Sequence, residues 1–211
     1  IDMSMVPTDF TFTEALIALA KEGKIPMTRI DDAVRRILRV KYETGLFENP
    51  VGSAKDYPLF NSAAHNQLNY DLTAECITLL KNTNNILPLA QGKKILVTGP
   101  SANSMRSLNG GWSRIWQGTT SDETEKEKNT ILEAVKHVFG EGNVEYSAGA
   151  DFDKVLDVRD AVTKAANVDV IVLCIGETSY TETPGNIRDL RISDAQTELA
   201  KALAATGKPM C

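Results

Sequence analysis

The sequence is poor in the side chains that build metal centres and disulfide frameworks. It contains two histidines, His65 and His137, and three cysteines, Cys76, Cys174 and Cys211, with no closely spaced pair among them. This set argues against a disulfide scaffold, a cysteine-based zinc site and a histidine triad, because each of these needs several such residues close together. We therefore expect neither a metal ion nor a cofactor.

Long apolar runs and an excess of positive charge are also absent from the sequence. No apolar run approaches the roughly 20 residues that span a bilayer. The 23 Lys and Arg against 28 Asp and Glu give a net charge of −5, and a mildly acidic chain is a poor binder of polyanions. Neither nucleic acid nor membrane is therefore expected as a partner. Of the 211 residues, 42% are apolar and 24% are charged, which argues against wholesale disorder.

Both ends of the sequence are typical of a segment of a longer protein. The chain opens at Ile1 without an initiator methionine. Near the other end, a helical pattern containing Leu199 and Leu203 leads to Gly207, where the next strand of an α/β domain is expected. We therefore expect a fragment cut at both ends, from which nothing about targeting can be read.

The first part of the chain has the apolar spacing of helices. The pattern predicts three helices, over residues 12–21, 28–43 and 63–81. Thr28 is expected to cap the second helix and Gly45 to end it. The stretch from Pro50 to Asn61 contains glycine, serine and proline and is interpreted as a linker.

From residue 93 onward, strands alternate with helices. Strands are expected at 94–100, 143–146 and 169–176, and helices at 131–139, 157–166 and 193–205. The run from Asp169 to Gly176 is apolar after its first residue, which is typical of a strand buried on both faces. The alternation predicts an α/β fold with a mainly parallel sheet flanked by helices.

The chain therefore divides into three stretches. Residues 1–50 are two helices without a core of their own, 51–92 are a linker and a connecting helix, and 93–211 are most of an α/β domain.

Two loops at the strand ends are candidate ligand sites, because parallel sheets bind ligands beyond the carboxyl ends of their strands. The loop after Val97 carries Trp112 and Trp116, the protein's two tryptophans, within residues 109–118. Indole faces suit the C–H face of a sugar ring, although a tryptophan packed beneath the loop is an alternative. Residues 98–104 could pass for a phosphate loop, but they lack the P-loop lysine and the glycine spacing.

The second loop, after Ile175, carries Glu177 and Glu182 beside Tyr180. Burial and neighbouring groups can tune the pKa of a carboxyl near a strand end, as general acid–base chemistry requires. From the residues alone, an ordinary acidic loop before the next helix is an equally good interpretation.

Taken together, these segments resemble glycoside hydrolase family 3, in the branch of plant exo-β-glucanases and bacterial β-glucosidases. Ile1–Pro7 is similar to the end of that family's first domain, a (β/α)8-type barrel, and the helices up to Pro50 continue it. Leu79–Leu89 resembles the entry to its second domain, an α/β sandwich. The segments that resemble that domain's site loops are Gly110-Gly111-Trp112, Trp116-Gln117-Gly118, Gly176-Glu177 and Tyr180-Thr181-Glu182.

The resemblance implies a retaining mechanism with two carboxyl groups roughly 5–5.5 Å apart. The family's nucleophile is the aspartate of a Ser-Asp-Trp motif on the barrel, which does not occur in this sequence, and Asp2 belongs to a later motif with a structural or rim role. The family's acid/base maps to Glu182, with Glu177 as second choice. Trp116 maps to a tryptophan that clamps the leaving-group sugar, and Trp112 is expected to support it.

The implied function is therefore hydrolysis of terminal β-D-glucosyl residues of a β-glucoside or β-glucan oligosaccharide. This chain would supply the acid/base half of the site, and the missing barrel of the same polypeptide would be its partner. Alone it is expected to be inactive and poorly soluble. Family members include secreted and periplasmic proteins, which favours such a location. Two alternatives remain open: a non-catalytic carbohydrate-binding α/β domain, and a doubly wound domain that binds a nucleotide or phosphate.

Overall fold

The computed structural model describes residues 1–119, 121–122 and 125–211. This part of the chain divides into two compact units, Ile1–Thr78 and Leu79–Cys211. The loops that carry the two tryptophans and the two candidate glutamates belong to the second unit.

The first unit is helical. It contains α1 (Thr11–Lys21), α2 (Met27–Glu43) and α3 (Ala63–Cys76), with a short 3-10 turn at Ala54–Asp56. No residue of these three helices is buried, and α2 exposes apolar side chains that include Val34 and Leu38. In both units, every helix that the structure describes is too short or too polar to cross a membrane.

The first two expected helices are present, but the expected cap of the second is wrong. Pro26 precedes α2, and no side chain caps the helix. Because proline already holds φ near its helical value, the helix begins directly after it and Thr28 lies inside the first turn. Gly45 ends the helix as predicted: it has a φ of 69°, and the Leu46 N–H donates to the Lys41 carbonyl at 3.0 Å, as in a Schellman motif.

Helix α3 is shorter than the expected helix over 63–81. It ends at Cys76, and Ile77 has an extended backbone with ψ of 115°. Ile77 and Thr78 are both β-branched, which lowers helix propensity. The prediction was therefore wrong for residues 77–81.

Asp2 holds the start of the chain against α2. Its carboxylate accepts a bond from Arg29 Nη2 at 2.7 Å and lies 3.5 Å from Arg36 Nη1. The hydrogen bond from Arg29 lowers the pKa of Asp2 below its usual value. This contact is a structural one, of the kind expected for Asp2.

The second unit is an α/β sandwich. The described part of this unit contains three strands, β1 (Ile95–Thr98), β2 (Val144–Ser147) and β3 (Val170–Leu173), which form a parallel sheet in the order β2-β1-β3. The helices are α4 (Ile131–Phe139), α5 (Val158–Ala165) and α6 (Asp194–Ala204). The predicted fold, a parallel sheet flanked by helices, is confirmed. β1 and β3 are three and four residues shorter than the expected ranges, whereas β2 has the expected length and begins one residue later.

The sheet has a hydrophobic core on each face. On one face, Leu96 and Ile171 pack with residues of α5 and α6, such as Leu199. On the other face, Ile95 and Val97 pack with Leu132 of α4. Since both faces are covered, the alternating side chains of β1 are all buried.

The stretch after Gly207 pairs with β3, where the next strand was expected. Met210 forms a parallel bridge with Ile171, and the Leu173 N–H donates to the Cys211 carbonyl at 2.8 Å. With this pairing, β3 has backbone partners on both sides, up to the residue from which the second loop leaves.

Candidate active site

Two loops leave neighbouring strands at the same edge of the sheet. Loop 99–119 follows β1, and loop 174–192 follows β3. The bases of the two loops are joined, because the Ser101 N–H donates to the Cys174 carbonyl at 3.2 Å. This is the edge where parallel sheets bind ligands.

The structure brings the candidate acid and the two tryptophans together. The indole Nε1–H of Trp116 donates to Glu182 Oε2 at 3.0 Å. The rings of Trp112 and Trp116 lie 6.4 Å apart at an angle of 46°, and their side chains are 66% and 47% exposed. A carboxyl group therefore lies at the edge of an accessible aromatic wall formed by the two indole rings.

Glu177 occupies a different position in the same loop. Its Oε2 accepts a hydrogen bond from the Tyr180 hydroxyl at 2.8 Å. That bond favours the neutral phenol and, with some desolvation, raises the pKa of Tyr180. Glu177 therefore accepts a hydrogen bond from Tyr180, whereas Glu182 accepts one from Trp116.

Gln117 joins the two loops, a role that the sequence did not suggest. Its Nε2–H donates to the Thr181 carbonyl at 3.1 Å, and its Oε1 accepts from the Thr181 N–H at 3.0 Å. The Ser179 hydroxyl donates to the main-chain carbonyl of Gln117 at 2.9 Å. The local signal for this role was weak: an amide, which can donate and accept at once, stands directly after Trp116.

Two glycines allow the loops to pack this closely. A Cβ on Gly111 would lie 2.8 Å from the Thr181 Cβ, and one on Gly118 would overlap the Ser179 hydroxyl. Gly118 also has a φ of 82°, which side-chain-bearing residues rarely adopt. The glycines that flank the tryptophans therefore serve close contact between the loops as well as turn geometry.

Glu182 has an unusual backbone conformation, with φ of 53° and ψ of −136°. Residues with a Cβ seldom occupy this region, and holding one there costs on the order of 1–3 kcal/mol. Its carbonyl accepts from the Gly185 N–H at 2.8 Å. The surrounding contacts therefore fix the direction of the Glu182 side chain.

Gln196 supports the base of the second loop and was also missed from the sequence. It is 2% exposed. Its Oε1 accepts from the Gly176 N–H at 2.9 Å, and its Nε2 donates to the carbonyls of Gly176 at 2.9 Å and Phe152 at 3.0 Å. A buried glutamine on α6 thus replaces strand pairing just after β3 ends.

Two arginines hold the first loop to its neighbours. Arg114 donates to Glu125 Oε1 from Nε at 3.1 Å and from Nη2 at 2.9 Å. The guanidinium of Arg106 lies 4.9 Å from the centre of the Phe152 ring, a cation–π distance. Arg114 thus contacts a residue later in the connection between β1 and α4, and Arg106 contacts a residue that follows β2.

The structure gives no support to a phosphate loop at residues 98–104. The N–H of Ala102 donates to the Gly99 carbonyl at 3.1 Å, and the N–H of Ser101 is already paired with Cys174. These backbone donors are the groups that a phosphate would need. Among the residues that the structure describes, no group of three or more His, Cys, Asp or Glu side chains could hold a metal ion.

Comparisons with known proteins identify the family of this chain. The family model for the glycosyl hydrolase family 3 C-terminal domain matches residues 77–211. The chain is 40% identical to the lysosomal beta glucosidase of Dictyostelium discoideum, over all of this chain and 27% of that protein. It is 31% identical to the periplasmic beta-glucosidase of Salmonella typhimurium, over all of this chain and 30% of that protein.

Solved structures give the same result. A beta-glucosidase mutant from Listeria innocua in complex with laminaribiose superposes with a TM-score of 0.82 at 28% identity, over all of this chain and 28% of that one. An exo-1,3/1,4-beta-glucanase from a Pseudoalteromonas species gives a TM-score of 0.76 at 28% identity, over all of this chain and 26% of that one. The chain thus spans between a quarter and a third of the length of these relatives.

Proposed function

Because the chain belongs to glycosyl hydrolase family 3, we propose that it supplies the acid/base half of the active site of a retaining β-glucosidase or exo-β-glucanase. The observation that carries the proposal is the hydrogen bond between Trp116 Nε1 and Glu182 Oε2. It combines a proton donor with a surface for a sugar ring, which is what cleavage of a glycosidic bond needs on the leaving-group side.

The proposed chemistry has two steps. In the first, a nucleophilic aspartate attacks the anomeric carbon, the bond to the leaving oxygen breaks, and Glu182 gives its proton to that oxygen. In the second, the Glu182 carboxylate takes a proton from water, which attacks the same carbon and releases the aspartate. Since Oε2 accepts from Trp116, Oε1 is the atom that carries and returns the proton.

The substrate we propose is a β-glucoside or β-glucan oligosaccharide with a terminal β-D-glucosyl residue. The leaving-group sugar would lie against the exposed indole of Trp116, with Trp112 supporting that ring from 6.4 Å away. Support comes from relatives: a Listeria innocua beta-glucosidase mutant was crystallised with laminaribiose, and a Pseudoalteromonas enzyme is an exo-1,3/1,4-beta-glucanase.

The other half of the site would come from a barrel domain of the same, longer polypeptide. We assign residues 1–50 to the end of that barrel, 51–92 to the connection and 93–211 to the α/β sandwich. The nucleophile's Ser-Asp-Trp motif does not occur among the 211 residues, and the covalent step has no substitute for it. Residues 1–211 alone are therefore expected to release no glucose from an aryl β-glucoside.

The test is leaving-group dependence in the full-length enzyme that contains this chain. Glu182→Gln is expected to lower kcat/KM for phenyl β-D-glucoside by about 10²- to 10⁴-fold, the usual contribution of a general acid. It should lower kcat/KM for the 2,4-dinitrophenyl glucoside far less, because that leaving group needs no proton. Glu177→Gln serves as the comparison.

Equal slowing of both substrates by Glu182→Gln would contradict the assignment, and a steep dependence in Glu177→Gln would transfer it to Glu177. Oligosaccharide binding without hydrolysis by the unsubstituted full-length protein would favour the non-catalytic carbohydrate-binding alternative, which the exposed tryptophan pair would serve equally well.

A further inference from the structure

We propose that Gln117 is a positioning residue for general acid catalysis and that it acts on the Glu182 carboxyl through the backbone of Thr181. The inference rests on the proposed function of Glu182. It adds a residue whose side chain has no role in proton transfer or sugar binding and whose bonds determine where the acid lies.

The first argument is the pairing itself. The Gln117 amide donates to the Thr181 carbonyl and accepts from the Thr181 N–H, at 3.1 and 3.0 Å. That carbonyl belongs to the peptide unit whose nitrogen is that of Glu182. The side chain therefore pairs with the backbone of residue 181 as a neighbouring strand would. This pairing fixes the orientation of the peptide unit that joins Thr181 to Glu182.

The second argument is the conformation that has to be held. Glu182 has a φ of 53°, and a free chain would return it to negative φ, where residues with a Cβ are more stable. Such a rotation would turn the Cα–Cβ bond and carry the carboxyl away from Trp116. The Gln117 pair restrains the chain before Glu182, and the bond from the Gly185 N–H restrains it after.

The third argument separates positioning from direct contact with substrate. The Oε1 and the Nε2 of Gln117 both form hydrogen bonds with Thr181, and Gln117 is half-buried, whereas Trp116 is exposed. Loss of the amide should therefore impair proton donation more than sugar binding.

The chain provides a matched control. Asn82, before β1, forms the same double pairing with a backbone: its Nδ2 donates to the Leu87 carbonyl at 2.8 Å, and its Oδ1 accepts from the Leu87 N–H at 3.0 Å. Asn82→Leu and Gln117→Met each remove two hydrogen bonds with little change in side-chain volume. A purely structural effect should be similar in both variants.

The experiment measures kcat/KM of the full-length enzyme on phenyl and 2,4-dinitrophenyl β-D-glucosides. A misplacement of about 1 Å can cost a reaction on the order of 10²-fold. We expect Gln117→Met to lose about 30- to 100-fold on the phenyl glucoside and less than about 3-fold on the dinitrophenyl glucoside. Asn82→Leu should leave the ratio of the two values unchanged.

A double-substitution cycle completes the test. If Gln117 acts through Glu182, then Gln117→Met in a Glu182→Gln background should lower activity on the phenyl glucoside by less than about 2-fold further, because residues that act as one unit are not additive. Full additivity would overturn the inference, and so would equal losses on both substrates. Failure of Glu182→Gln to show leaving-group dependence would instead reject the proposed function.

Discussion

The indole nitrogen of Trp116 lies 3.0 Å from a carboxylate oxygen of Glu182, although the two residues are 66 positions apart in the chain. The bond joins two loops that leave neighbouring parallel strands. It makes the aromatic wall and the proposed proton donor a single unit, so a change at either residue is expected to affect the other.

A substitution at Trp116 can separate the aromatic face of its ring from the hydrogen bond that its Nε1–H donates. Trp116→Phe keeps an aromatic face but removes the N–H that orients the Glu182 carboxyl. A hydrogen bond to a charged group is worth about 1.5–3 kcal/mol, so we expect about a tenfold or larger loss of kcat/KM on phenyl β-D-glucoside. Steady-state kinetics of the full-length enzyme would measure it.

Trp112→Phe is the comparison for that variant, since the indole of Trp112 contacts its neighbour by packing. It is expected to raise KM for oligosaccharides without making the rate more dependent on the leaving group. A steeper leaving-group dependence in Trp112→Phe than in Trp116→Phe would contradict the orienting role of the indole N–H.

The adjacent glycines before Trp112 should differ sharply in their tolerance of a methyl group. A Cβ on Gly111 would lie 2.8 Å from the Thr181 Cβ, whereas a Cβ on Gly110 would have no atom of the described residues within 4 Å other than those of its chain neighbours. Gly111→Ala must push the two loops apart, at a cost of about 1–3 kcal/mol. We expect it to lower both Tm and kcat/KM of the full-length enzyme.

Gly110→Ala is the control for this effect, because it adds the same methyl group one residue earlier and in open space. It should leave Tm and activity close to those of the unsubstituted protein. Equal losses in the two variants would mean that the loop needs glycine for flexibility and not for the close contact with Thr181.

The parts of the site that could be predicted are those that depend on local pattern. The apolar runs around Val97 and Val172 mark buried strands, and the strand-end rule then identifies both loops. The contact between Trp116 and Glu182 can be inferred only when β1 and β3 are known to be neighbours. The structure shows that these two strands pair directly. Periodicity and topology together therefore predict where the candidate site lies.

The supporting residues could not be predicted because their partners are backbone groups far away in the chain. Gln117 pairs with Thr181, 64 residues later, and Gln196 pairs with the backbone at Gly176 and Phe152. Every residue has a peptide group, so the sequence does not show which one a glutamine side chain will bind. Similarly, Pro26 displaced the expected cap at Thr28 because a fixed φ outweighed a side-chain hydrogen bond.

Gln196 is expected to be the most sensitive of these supports. Gln196→Leu would leave the N–H of Gly176 and the carbonyls of Gly176 and Phe152 without their partner beneath the sheet edge. An unsatisfied buried polar group costs about 1–3 kcal/mol, so the summed loss should be about 3 kcal/mol or more. Thermal unfolding of the full-length protein would show it as a lower Tm.

Gln67→Leu is a suitable control, because the amide of Gln67 donates to Asp71 on the exposed surface of α3. Its effect on Tm should be within the small range of surface substitutions. If Gln196→Leu were equally mild, water would have to satisfy the backbone groups at the base of the second loop, and the proposed support would be rejected.

Cys174 should make the stability of the second unit decrease at alkaline pH. Burial, with a smaller effect from the nearby Cys211, raises the pKa of the Cys174 thiol from 9.0 to about 11. The folded state therefore holds this proton more tightly than the unfolded state. Its contribution to stability is complete below pH 9 and is lost as the pH rises through about 11.

Replacing the thiol should remove this part of the pH dependence. Two pKa units are worth about 2.7 kcal/mol at full burial, and because Cys174 is only partly buried we expect about 1 kcal/mol. Between pH 9 and 11, Cys174→Ala should thus lose about 1 kcal/mol less stability than the unsubstituted protein, as measured by denaturant unfolding at each pH.

Cys76→Ala, at an exposed position on α3, is the control and should keep the original slope of stability against pH. Parallel slopes for Cys174→Ala and the unsubstituted protein would show that this thiol is hydrated in the folded state.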